Sequence, residues 1–132
     1  MNTIALRNAI KSALSGALSG YSIAWLGVNH SGARPYIEVS FPAADRTGGT
    51  LKGNQINRET GRVAAVVVTE LGQGENPALA IADLISTALY EGKNIAFTGG
   101  TIIIRKPVDI RGGYPTERDY RLPCVIAYEA NA

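Results

Sequence analysis

Residues 47–71 read TGGTLKGNQINRETGRVAAVVVTEL, and the two halves of this stretch differ in kind. Residues 63–71 are so uniformly apolar and branched that they read as a central strand of a sheet. The first half, Leu51 and Ile56 apart, is Gly, Thr, Asn, Gln and charged residues, polar on both faces. With Arg46 just ahead of it, it carries four cations, Arg46, Lys52, Arg58 and Arg62, against one acid, Glu59. A turn at residues 57–61 would divide the stretch into two extended arms. An arm polar on both faces has weakly specified register and is free to project from the body or to pair with another chain. It is a candidate contact element, and a solvated surface hairpin is the competing reading.

Working outward toward the N-terminus, residues 36–41 alternate. Tyr36, Glu38 and Ser40 face one side and Ile37, Val39 and Phe41 the other, the period of a half-buried strand, which Pro42 is expected to end. The apolar SIAWLGVNH at 22–30 carries the sole Trp25 and reads as a short strand or a packed loop. Residues 3–18 place Leu6, Ile10, Ala13, Leu14 and Ala17 on one helical stripe, and Gly20 ends that helix. Toward the C-terminus, GQGENP at 72–77 predicts an N-cap at Asn76 with Pro77 opening a second helix. That helix has a stripe of Ile81, Leu84, Ile85, Ala88 and Leu89, and Gly92 closes it. Residues 95–97 and 101–106 flank the Gly99-Gly100 turn as a hairpin, and residues 109–119 form a polar loop. A last strand at 120–128 contains Pro123, which marks an edge or a bulge. Helix, strands, helix, strands is the order of an α+β fold. The expectation is an antiparallel-rich mixed sheet with two main helices on one face, in a single domain spanning 1–132 with a projecting polar hairpin arm.

With 132 residues the chain has the length of one domain,. Its one cysteine, Cys124, makes no internal disulfide and no cysteine-rich metal site,. The one histidine, His30, stands beside Ser31 but belongs to no nucleophile motif. The glycine pairs at 48–49, 99–100 and 112–113 precede neither Lys-Ser nor Lys-Thr, so none reads as a phosphate loop. The reading is therefore no catalytic residue, no cofactor and no metal. Thirteen Lys and Arg against eleven Asp and Glu give a net charge of +2, small for a protein that lives on phosphate contacts,. The nearest approach to basic and aromatic interleaving is Arg111, Tyr114, Arg118, Tyr120 and Arg121, diluted by Glu117 and Asp119; a small nucleic-acid module is accordingly the weaker alternative. No apolar run approaches the roughly 18 residues of a membrane span. Arg7 and Lys11 inside the first apolar periodicity argue against a signal peptide, so no membrane partner is expected.

The order of features says more than any single motif. An amphipathic N-terminal helix leads to RPYIEVSFPAADR at 34–46. The polar arm with GGTLKGNQINRETGRVAAVVV and the GENPALAIADLI helix entry come next. ALYEGKNIAFTGGTIIIRKP at 88–107 and the closing RDYRLPCVIAYEA at 118–130 complete the series. This pattern resembles the small tail-terminator proteins of long-tailed bacteriophages and prophages over nearly the whole chain. The resemblance implies a structural virion protein that closes into a six-membered ring on the head-proximal end of the tail tube and stops polymerisation. It implies as partners other copies of the chain, the tail tube protein and a head-completion or connector protein. DNA would pass through the lumen without sequence-specific binding, and assembly would take place in the bacterial host cytoplasm. A neighbouring head-tail joining or tail-completion protein is the alternative. A ring needs two different patches on each subunit, and the polar arm and the strand edge near Pro123 are the candidates. Arg46, Lys52, Asn54, Arg58, Arg62, Arg111 and Arg118 are the expected contacts with a neighbour, the tube or the lumen.

Overall fold

The structure, a computed structural model, describes residues 2–25, 34–48 and 56–132, with only the backbone of Ile56. His30, Ser31, Lys52 and Asn54 therefore lie outside the described residues. The elements run α1 (Thr3–Ala17), β1 (Ser22–Trp25), β2 (Tyr36–Gly48), β3 (Ile56–Glu70), α2 (Asn76–Ala88), β4 (Asn94–Phe97), β5 (Gly100–Ile104), β6 (Asp109–Ile110), β7 (Tyr114–Pro115) and β8 (Asp119–Asn131). The sheet order is β1-β2-β3-β8-β5-β4, with β6 and β7 also on β8. Among the described residues only β1 and β2 pair in parallel; every other pairing there is antiparallel. The fold is the expected α+β, with both helices in one core on one sheet face.

That core follows from two periodicities. On α1, Leu6, Ile10, Leu14 and Leu18 recur every four residues and are buried,. The Asn2 side chain accepts a hydrogen bond from the Ala5 amide at 3.0 Å and so caps the helix,. Alternate strand residues meet the stripe: Ile37 and Val39 on β2, Val63, Ala65 and Val67 on β3, Leu122, Cys124 and Ile126 on β8, and Ile102 and Ile104 on β5. On α2 the buried residues are Ala78, Ile81, Ala82 and Ile85, with Leu89 at the C-cap. Leu84, expected on that stripe, is 42% exposed; alanines at 78 and 82 let the helix approach the sheet on a face rotated away from it. The helix begins one residue early, with Glu75 as N-cap and no side-chain capping bond.

Three strand expectations are corrected. Pro42 does not end β2. Ser40 pairs with Ala64 and Ala43 with Arg62, so Phe41 and Pro42 together oppose Val63 in a bulge, where a residue without an N–H costs no ladder bond. Residues 57–61 are not a turn; they are paired on both sides, Arg58 with Thr47 and Asn131 and Thr60 with Asp45 and Glu129. A polar stretch can be an interior strand here because its inward acid is matched, as described below. The strand around Pro123 is not an edge, since β8 has β3 on one side and β7, β6 and β5 in succession on the other. The Arg111 amide donates to the Pro123 carbonyl at 2.9 Å. In an antiparallel ladder a residue's N and C=O leave on the same side, so the donor that Pro123 lacks faces the β6–β7 connection rather than β3.

Candidate functional site

Among the described residues no helix covers the second face of the sheet, and alternation decides what stands on it. From β3 it receives Arg58, Thr60, Arg62, Ala64, Val66, Val68 and Glu70, from β8 Val125, Ala127 and Glu129, and from β2 Ala43, Asp45 and Thr47. Toward the arm, a groove of about 570 Å³ opens on this face. Its floor is small, with Ala43, Thr60, Val125 and Ala127, and its walls are charged, with Arg62, Arg105, Lys106 and Arg111 against Asp45 and Asp109. Pro107 follows Arg105-Lys106, and the chain continues in the same direction along β8 into β6, which sets these two cations at the groove's rim.

The cations differ in how far they are already satisfied. Arg58 Nε lies 2.5 Å and Arg105 Nη1 3.4 Å from the Glu129 carboxylate. The hydrogen bond from Arg58 is the main reason that the Glu129 carboxyl is held below the ordinary carboxylate value,. Arg111 Nε meets Asp109 at 3.1 Å, both well exposed. Arg62 and Lys106 have no hydrogen bond or ion pair among the described residues. Arg118 is exposed; its amide donates to Thr116 Oγ1 at 3.4 Å and its carbonyl accepts from Arg34.

Arg46 faces the other way. It stands opposite Glu59 on the helix side, with Nε 2.8 Å from Glu59 Oε1 and Nη2 2.9 Å from Thr3 Oγ1 on α1. The Tyr128 hydroxyl donates to Glu59 Oε2 at 2.6 Å. Glu59 is only 1% exposed, and these donors make a polar strand tolerable in the interior. Burial, followed by the neighbouring carboxylate, pushes the Tyr128 phenol well above its ordinary range. At the far end of the open face a second charged cluster joins Arg34 to Asp119 at 2.6 Å, Arg121 to Glu38 at 2.9 Å and Arg121 to Asp119 at 3.6 Å. The hydrogen bond to Glu38 makes the Arg121 guanidinium more basic.

Of the seven expected contact residues, the structure brings Arg62 and Arg111 into one groove and sets Arg58 beside it. Arg46 is turned into the helix side, Arg118 stands apart, and Lys52 and Asn54 lie outside the described residues. Arg105 and Lys106 were missed; their signal was the dibasic pair directly before Pro107. Cys124 is buried, and burial raises its thiol to about 11, which suits a packing role. Among the described residues no three of His, Cys, Asp and Glu gather where they could hold a metal ion.

The profile of the phage tail terminator protein family matches residues 5–128, and the chain belongs to that family. Its role is therefore that of a phage tail structural protein, with a place in the virion. No curated protein matches the chain. Among solved structures, one chain without a functional description shares 16% identity over 96% of both chains at a TM-score of 0.75. Another, from the virion of a native gene transfer agent particle, shares 16% identity over 98% of this chain and 93% of that one at a TM-score of 0.58. At such identities these two carry the fold alone.

Proposed function

We propose that the protein closes as a ring of six copies on the head-proximal end of the tail tube and ends polymerisation there. The opposite surface of the ring receives the head-completion protein, DNA passes through the lumen without sequence-specific contacts, and assembly takes place in the host cytoplasm. No catalytic step, cofactor or metal enters this role. Family membership supports the reading, and the observation that carries it is the open sheet face on which Arg62 and Lys106 have no partner among the described residues and so are available to another molecule. In this reading Arg58, Arg62, Arg111 and Arg118, with Lys52 and Asn54, meet a neighbour, the tube or the lumen. Arg46 instead holds the arm's base to α1.

The test is native mass spectrometry and negative-stain imaging of the purified protein, with and without tail tubes. The expected result is a closed ring, free or seated on one tube end, and tubes that stop growing. Protein that stays monomeric beside tubes and lets them elongate overturns the reading.

A further inference from the structure

We propose that the basic groove of one copy receives the turn at residues 70–75 of the next copy, and that this is the head-to-tail contact of the assembly. The inference rests on the ring reading and names the two patches such a ring requires. The groove offers Arg62 and Lys106, neither of which has a partner among the described residues, against a single acid in the same state, Asp45. The turn between β3 and α2 offers the complement. Glu70 and Glu75 are exposed and equally without a partner among the described residues. Glu75 makes no capping bond to the helix that it precedes, so its carboxylate is available to another molecule. Between the two acids, Leu71 is 41% exposed and suits the floor of Ala43, Val125 and Ala127.

The two surfaces cannot meet within one chain. The pairing of β3 with β8 is unbroken from Arg58 to Glu70, so Arg62 and Glu70 leave the same sheet face eight residues apart. At about 3.4 Å per residue that separates them by about 27 Å. Arg62 lies midway along β3 and Lys106 lines the same groove, while Glu70 ends the strand and Glu75 lies beyond it, so these cations and acids match only between copies. A step that sets one copy's turn on its neighbour's groove leaves both surfaces free at the ends of the chain of copies, which is what permits the next addition. Contact through charge is also weakened by salt, because exposed pairs are screened within about 10 Å at 0.1 M ionic strength.

The test uses the full-length chain with two paired reversals, R62E with K106E and E70K with E75K. All four side chains are exposed, so each variant should fold, which circular dichroism and urea melting check. Each variant alone should lose about tenfold or more of its assembled fraction at matched concentration. Mixing the two variants should restore assembly as an alternating ring, since an acidic groove then meets a basic turn and the reverse. Milder alanine replacements at the same four positions should weaken assembly in the same direction. Unchanged rings from either folded variant, or no rescue on mixing, overturn the proposed contact while leaving the ring reading intact. A wild-type particle of only two copies, dissociated by the same variants, also overturns it, because the contact would then be reciprocal. Wild-type protein that forms no ring on tube ends fails the ring reading itself and takes this contact with it.

Discussion

Glu59 determines what the polar half of the long hairpin can be. An unpaired buried carboxylate would force that half out of the sheet; with Arg46 and Tyr128 donating to it, the strand runs through. Removing one donor should show the dependence: Tyr128→Phe leaves the buried carboxylate short of a partner at a cost of about 1–3 kcal/mol in urea unfolding. Gly61 belongs to the same arrangement, because a Cβ there would stand 2.6 Å from the Tyr128 hydroxyl and 2.8 Å from the Ala43 carbonyl. The carbonyl is backbone and cannot swing aside, so Gly61→Ala should destabilise by about 1–3 kcal/mol. Gly112, whose Cβ would meet nothing within 4 Å, is the matched control, with Gly112→Ala expected within about 0.5 kcal/mol. Equal stability of the two alanine variants would contradict the close fit around Tyr128. None of this was legible in the sequence, where Glu59 and Tyr128 stand 69 residues apart and nothing local marks the pair.

At the scale of elements, what repeats locally was readable and what depends on a distant partner was not. The four-residue stripe of α1 and the branched run of β3 identify themselves, because each alone specifies a buried face. The ends of β2 and β8 do not, because the effect of a proline on a strand depends on which side its missing donor faces, and that is fixed by neighbours. The face of α2 was half legible. Leu84 and Ile85 are both apolar and adjacent in sequence, yet α2 turns Leu84 to solvent and Ile85 to the core. Ile85→Ala should therefore cost about 2–5 kcal/mol, whereas Leu84→Gln should stay within about 0.5 kcal/mol, both by denaturant midpoint. A comparable loss from the two substitutions would mean that α2 packs on a different face.

For the molecule as a whole, the groove is assembled from β2, β3, β8 and the segment after β5, and of its cations only Arg62 and Arg111 were expected from the sequence. Arg105 and Lys106 become neighbours of Arg62 through the sheet register alone. The same register sets limits on stability at both ends of the pH scale. Glu129 has a lowered carboxyl in the folded chain. As pH falls below the ordinary carboxylate range the unfolded chain takes up the proton first, so the stabilisation present above that range is lost as pH drops through the folded value. Cys124 and Tyr128 act at the other end, both raised mainly by burial. Above an ordinary thiol value of 9.0 the unfolded chain releases the Cys124 proton while the folded chain keeps it to about 11. The folded state then binds more protons, and stability falls as pH rises through that interval. Cys124→Ala should flatten the decline between pH 9.0 and about 11, and Glu129→Gln should flatten the acid limb while leaving the alkaline one untouched. Urea midpoints measured across pH in the two variants and the wild type check this. An alkaline limb unchanged in Cys124→Ala would mean that the thiol is not shielded from water in the folded chain.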